Sequence, residues 1–246
     1  MGRVWVHAAL AVVSRFVVDL RVGPRTLESA AQLVASVALA CGERLPLVLI
    51  DNHLPYPAAI LQVWGEVLHG RRRGGRGRRK HPRLKPPEGL QAAVLEKVRD
   101  ASWRVVRVRA RRLLGRLKDV RRRLRRLKIG REVNTAHIER VNGTIRGDVG
   151  RLARRTRRGS RLEPALQEAL WLWRDLYNWT RVHASLLGRT PAMVLELAQE
   201  VWSARQYVLH PVHVSDLQRA IWAEERQKWL TSALSRLKPR KTSPTS

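Results

Sequence analysis

The chain has 246 residues, 49 of them Lys or Arg against 20 Asp or Glu, for a net charge of +29. With 44% hydrophobic residues it can bury a core, which excludes a disordered tail. A field this positive attracts polyanions, with nucleic acid the default partner, although a GC-rich coding sequence also enriches arginine over lysine.

Residues 3–8 and 14–22 read as strands. The second, SRFVVDLRV, is β-branched and ends at the turn pair Gly23-Pro24. The start, Arg3 followed by the apolar run Val4 to Val13, mimics a weak signal peptide but passes straight into strand-like sequence with no cleavage region, so the chain reads as intracellular. Thr26 caps a helix whose apolar stripe of Leu27, Ala30, Ala31, Val34, Val37 and Ala38 carries it to Cys41. Cys41 is the only cysteine, which excludes an internal disulfide and a multi-cysteine zinc site, and its place on the helix predicts a buried thiol.

LPLVLID, Leu45 to Asp51, is a short continuous apolar run, the pattern of a strand covered on both faces. Asp51 then stands where open α/β sheets place their sites, or simply caps a turn into the next helix, expected from about Pro57 to Leu68. RRRGGRGRRKHPRLK, from Arg71 to Lys85, carries nine Lys and Arg and no acid, and its glycines and prolines predict a flexible basic loop over 70–88. Arg71, Arg72, Arg73, Arg78, Arg79 and Lys80 would there contact phosphate without reading sequence. Ala93 to Asp100 and Trp103 to Arg109 read as a strand pair. The region Arg111 to Lys128 then reads as a helix with one leucine stripe and arginine elsewhere, either a DNA-facing surface or a solvated one.

The stretch NTAHIERVNGTIRGDVGRLARRT, Asn134 to Thr156, places one acid, Glu139, among arginine, asparagine and histidine. Asn134 is its expected N-cap, and Ile138, Val141, Ile145, Val149 and Leu152 form an apolar stripe at helical spacing. By itself Glu139 reads first as a solvated acid paired with nearby arginines, with a metal ligand beside a core edge as the other reading. A further helix runs from Leu162 to about Arg181, whose aromatics Trp171, Trp173, Tyr177 and Trp179 serve either a core or base stacking. Pro191 starts another helix. The last spans about Val214 to Leu234, in a helical extension over 201–235, and 236–246 is an expected disordered tail.

The chain has no phosphate loop ending in Lys-Ser or Lys-Thr, no zinc-hydrolase histidine pair and no nucleophile elbow. A few spaced acids in a basic chain suit Mg²⁺, which prefers oxygen ligands and retains waters. Two such ions about 4 Å apart stabilise both attacking and leaving oxygens in phosphodiester transfer.

Several segments then fall in a recognisable order: Val22-Gly23-Pro24-Arg25-Thr26, Leu45-Pro46 through Asp51, Pro55-Tyr56, Asn134 through Glu139-Arg140, and Asn142-Gly143-Thr144. Ala153-Arg154-Arg155-Thr156, Tyr177-Asn178, His183, Ser185-Leu186 and Thr190-Pro191-Ala192 complete the series. Over about residues 4 to 200 this resembles the catalytic half of a bacterial insertion-sequence transposase of the DDE type. The resemblance implies an α/β, RNase H-like mixed sheet flanked by helices over 1–200, with the basic loop and the arginine-rich helix as insertions. It implies Asp51 and Glu139 as catalytic acids and ligands of Mg²⁺ (or Mn²⁺), and Arg140, Asn142, Arg146, Arg154 and Arg155 as DNA contacts. The implied partners are the DNA of the insertion-sequence ends and target, with a homo-oligomer in the synaptic complex, no membrane, and a cytoplasmic, nucleoid-associated prokaryotic setting.

One departure is plain. The first acid of the family belongs near Ala8 and Ala9, where alanine cannot hold a metal. Asp19 on the next strand is the nearest acid, out of the expected register. The end-recognition region that often precedes this part of such transposases is also missing, so the resemblance implies a truncated or degenerate copy. A non-catalytic nucleic-acid-binding remnant of the same fold is the alternative.

Overall fold

The computed structural model describes residues 4–68, 81–152 and 163–210. The two N-terminal strands form an antiparallel hairpin, β1 (Trp5–Ala11) with β2 (Phe16–Gly23), broken by a bulge between Ala9 and Leu10. Thr26 accepts from the Ser29 backbone N–H and starts α1 (Leu27–Cys41), which ends at Gly42 with φ of 58°, a conformation glycine adopts without strain. Cys41 is half-buried at the end of the helix, not fully enclosed as expected.

β3 (Leu47–Asp51) is the expected short apolar strand. Next, α2 (Pro55–Trp64) begins earlier than its periodicity suggested, because Pro55 fits the first helical turn, where no intrahelical N–H bond is needed. A hairpin that the sequence did not announce, β4 (Glu66–Leu68) with β5 (Arg83–Lys85), frames the basic segment. The strand pair is longer than expected: β6 (Gln91–Arg99) and β7 (Val105–Leu114). Residues 111–114, expected as the start of the arginine-rich helix, belong to β7. Gly115, with φ of 74°, separates them from α3 (Leu117–Arg126).

The remaining elements are α4 (Ala136–Asp148), a 3₁₀ turn at Gly150–Leu152, α5 (Glu163–Thr180), α6 (Pro191–Val194) and α7 (Ala204–Leu209). The expected helix from Val214 and the tail lie outside the described residues, as do Arg71, Arg72, Arg73, Arg78, Arg79, Lys80, Arg154 and Arg155.

Among the described residues the fold is mixed α/β, as expected, and is built of small sheets. β3 pairs parallel with β6 and β6 antiparallel with β7, while β1–β2 and β4–β5 stand as separate hairpins. The reason shows on β2. Asn178 of α5 accepts from the Val17 N–H at 2.8 Å and donates to the Val17 carbonyl at 2.9 Å. Gln167 does the same at Val22 N–H (2.8 Å) and Leu20 carbonyl (2.7 Å). Side-chain amides therefore satisfy backbone groups that another strand would otherwise pair.

Three apolar clusters follow from this arrangement. Ala30, Ala31 and Val34 of α1 and Ala59 and Ile60 of α2 pack on Ile50, Ala92 and Val94, one face of the three-stranded sheet. Val120 and Leu124 of α3 cover Ala93 and Leu95 on the opposite face. Val141 and Ile145 of α4 and Leu166, Leu170 and Tyr177 of α5 close over Val17 and Leu20 of the first hairpin.

Candidate functional site

Side chains alternate along a strand, so the last residues of β3 and β6 sort onto defined faces. Asp51 is the cross-strand neighbour of Leu95 in the parallel pair, and Lys97 lies two residues beyond Leu95, on the same face. The Lys97 ammonium donates to the carboxylate of Glu139, which reaches in from the first turn of α4. Lys97, and with it the Glu139 carboxylate, therefore lies on the same sheet face as Asp51, two residues beyond the end of β3.

Glu139 is more open than its stripe suggested, with its side chain 52% exposed. The Thr135 hydroxyl also donates to it, at 2.7 Å. These two hydrogen bonds, Lys97 first, hold the Glu139 carboxyl below its ordinary range. Thr135 is the residue that precedes α4, and its hydroxyl is spent on Glu139 instead of capping; Asn134 next to it accepts from the Ala136 N–H at 3.2 Å. The expected N-cap thus shifts by one position, while Asn134 still serves the helix start. Arg140 and Arg146 are exposed and Asn142 is half-buried, and none of the three is tied up in an ion pair among the described residues.

Asp51 is exposed and is followed by a packed polar group that sequence reasoning missed. The Pro24 carbonyl can only accept, so His7 carries its proton on Nε2 (3.1 Å) and takes the Tyr56 hydroxyl on Nδ1 (3.3 Å). A guanidinium can only donate, so His53 receives Arg25 on Nδ1 at 3.2 Å. Burial is the first cause that lowers both imidazoles below their ordinary values, with Arg25 adding to it. Arg25 also lies over the Trp5 ring, 4.4 Å from its centroid. Arg25 and Tyr56 stood in the matched segments, whereas nothing in the sequence marked His7 or His53.

The structure gives Asp19 a different role from that of a site acid. Its residue is 3% exposed, and its carboxylate accepts from Arg21 Nε (2.6 Å), the Leu20 N–H (2.9 Å) and Trp171 Nε1 (3.3 Å), with Arg174 at 3.5 Å. A buried carboxylate enclosed by two guanidiniums anchors β2 to α5 and is not open to a ligand. The aromatics of α5 are committed in the same way: Trp173 stacks on Tyr177 at 4.9 Å, and Trp179 packs with Trp202 at 4.8 Å.

Arg15, at the tip of the first hairpin with φ of 60°, donates to His137 Nδ1 and ties that tip to α4. Among the described residues no group of three or more His, Cys, Asp or Glu is arranged to hold a metal ion. No family model, curated protein or solved structure matches this chain. Among the described residues, no helix is long and apolar enough to cross a membrane.

Proposed function

We propose that this chain is the catalytic core of an insertion-sequence transposase of the DDE type, RNase H-like in plan, acting on DNA in the prokaryotic cytoplasm and nucleoid. What supports this reading is that Asp51 ends β3 on the sheet face that also carries Lys97, the ion-pair partner of Glu139. Mg²⁺ commonly takes one or two carboxylates and completes its shell with water and phosphate oxygens. Asp51 and Glu139 suit one such ion (Mg²⁺ or Mn²⁺), provided Lys97 releases Glu139. When bound, the ion would stabilise charge developing on the phosphoryl oxygens during phosphodiester cleavage and strand transfer. Arg140, Asn142, Arg146, Arg154 and Arg155 would hold DNA phosphates, the basic residues of 71–80 would add sequence-independent affinity, and synapsis would require a homo-oligomer.

A second reading, a non-catalytic DNA-binding remnant of such a transposase, is favoured by two specific observations. Ala8 and Ala9 offer no ligand where the first acid belongs, and Asp19 is locked in its ion pair. A strand-transfer assay on DNA carrying terminal repeats, with and without Mg²⁺, separates the two. The catalytic reading expects metal-dependent product that Glu139→Gln and Asp51→Asn each reduce by at least a hundredfold. Metal-dependent activity that survives Glu139→Gln sinks the acid assignment. DNA binding without product under any condition selects the remnant.

A further inference from the structure

We propose that the hairpin formed by the outer parts of β6 and β7, Glu96 to Arg109, is a ribbon that seats in the major groove of duplex DNA. This rests on the reading of the chain as a DNA-binding protein. β3 stops at Asp51, the partner of Leu95, so among the described residues the only strand paired with β6 beyond Leu95 is β7. The two strands continue alone from Glu96 to Arg99 and back from Val105, projecting about 13 Å at ~3.4 Å per residue.

The projection is held in shape by its turn. Asp100 N–H donates to the Arg104 carbonyl at 2.9 Å, and the Asp100 carboxylate accepts from the Arg104 N–H at 2.9 Å. Arg99 donates to the Trp103 carbonyl at 2.7 Å. At the tip, Trp103 (φ of 61°) is 77% exposed, and Val106 behind it is 61% exposed. Val98, Val105 and Val108 are exposed as well, and none of the five joins an apolar cluster. Single exposed apolar residues are ordinary, but this concentration on one short hairpin marks a contact surface.

Charge decides the partner. The ribbon carries Lys97, Arg99, Arg104, Arg107 and Arg109 against Glu96 and Asp100. Glu96 is shared by Arg109 (2.8 Å) and Arg111 (2.5 Å), so one carboxylate answers two guanidiniums. Among the described residues Arg99, Arg104 and Arg107 have no carboxylate partner. Pairing with the same ribbon of a second copy would bring these charges together, whereas a polyanion relieves them. Shape decides the groove. Strands ~4.8 Å apart with side chains on both faces fit the ~12 Å major groove and exceed the ~6 Å minor groove. Arginine there reaches guanine O6 and N7, and the valines and Trp103 meet apolar edges such as the thymine methyl. The base of the ribbon holds Lys97, so DNA seated on it passes the Lys97–Glu139 ion pair.

The test uses the full chain and a 30-base-pair duplex, with anisotropy followed across a salt series. The double variant Arg104→Gln/Arg107→Gln is expected to lower the slope of log affinity against log salt by roughly 1.8, about 0.9 per lost phosphate or base-edge cation. Arg125→Gln/Arg126→Gln on α3 removes the same charge away from the ribbon and is expected to change the slope less. Trp103→Ala is expected to weaken binding about tenfold while leaving the slope unchanged. Methylation of guanine N7 should impair binding by the native chain and lose that effect with the ribbon double variant. If the native chain binds DNA but the ribbon double matches it in slope and N7 sensitivity, the ribbon assignment is overturned while DNA binding stands. Equal losses in both double variants without N7 interference overturn it too. Absence of DNA binding by the native chain overturns both readings.

Discussion

At the scale of single residues, the acids of this chain differ by what surrounds them. Asp19 is enclosed by Arg21, Arg174, Trp171 and a backbone N–H, so its charge is spent on holding β2 to α5. Glu139 is open, and its partners Lys97 and Thr135 are a flexible ammonium and a hydroxyl that can be displaced. The buried imidazole of His7 is a pH-sensitive group. Burial keeps it neutral, whereas in the unfolded chain it takes up a proton near pH 6.5. Between the two values the unfolded state binds more protons. Stability is therefore fully present above about pH 6.5 and is lost as pH falls through the depressed native value. The urea midpoint is expected to drop between pH 7.5 and pH 5, and the drop should shrink in His7→Phe whatever that variant costs at pH 7.5. An unchanged pH dependence in His7→Phe would show that another group controls it.

At the scale of elements, α5 does the work that a neighbouring strand would do for β2. Asn178 is buried and supplies one acceptor and one donor to the two backbone groups of Val17. Leucine has a similar volume but leaves both backbone groups buried without partners, at about 1–3 kcal/mol each. Asn178→Leu is accordingly expected to destabilise by about 3 kcal/mol, read as a lowered denaturant midpoint at unchanged slope. A loss under ~0.5 kcal/mol, within the usual range for surface substitutions, would mean that water satisfies Val17 instead. Gln167 shares the task further along β2, so a double substitution is expected to exceed either single one.

At the scale of the whole molecule, the excess of 29 positive charges sets a condition on folding itself. Self-repulsion of that size favours expansion, and any polyanion that binds the folded chain offsets it. Duplex DNA at a hundred times its dissociation constant should add about 2.7 kcal/mol by mass action alone. The thermal midpoint is expected to rise on adding duplex DNA at low salt, with the rise fading as salt increases. A midpoint indifferent to DNA at low salt would remove nucleic acid as the partner. Added NaCl without DNA should also raise stability modestly, because screening weakens repulsion among exposed arginines.

The sequence by itself determined the elements whose causes are local. Thr26 and Gly42 bracket α1, the apolar run before Asp51 makes β3, and the valine-rich segments around Asp100 pair as β6 and β7. It misplaced the start of the arginine-rich helix because Leu113, Leu114 and Leu117 keep a helical spacing across Gly115, whose positive φ ends β7 instead. It could not foresee β4–β5, since two three-residue strands carry almost no periodicity. For the candidate site, Asp51 and Glu139 were legible as acids at a strand end and on a helix. That Lys97, the partner of Glu139, shares a sheet face with Asp51 depended on the register of β6 against β3, which no local pattern encodes. Tertiary structure also decided that Asp19 is an anchor, because the arginine and tryptophan that enclose it come from α5, more than a hundred and fifty residues away. Charge and periodicity are properties of a segment, whereas burial and partnership are properties of the packed chain. An acid's role belongs to the second kind.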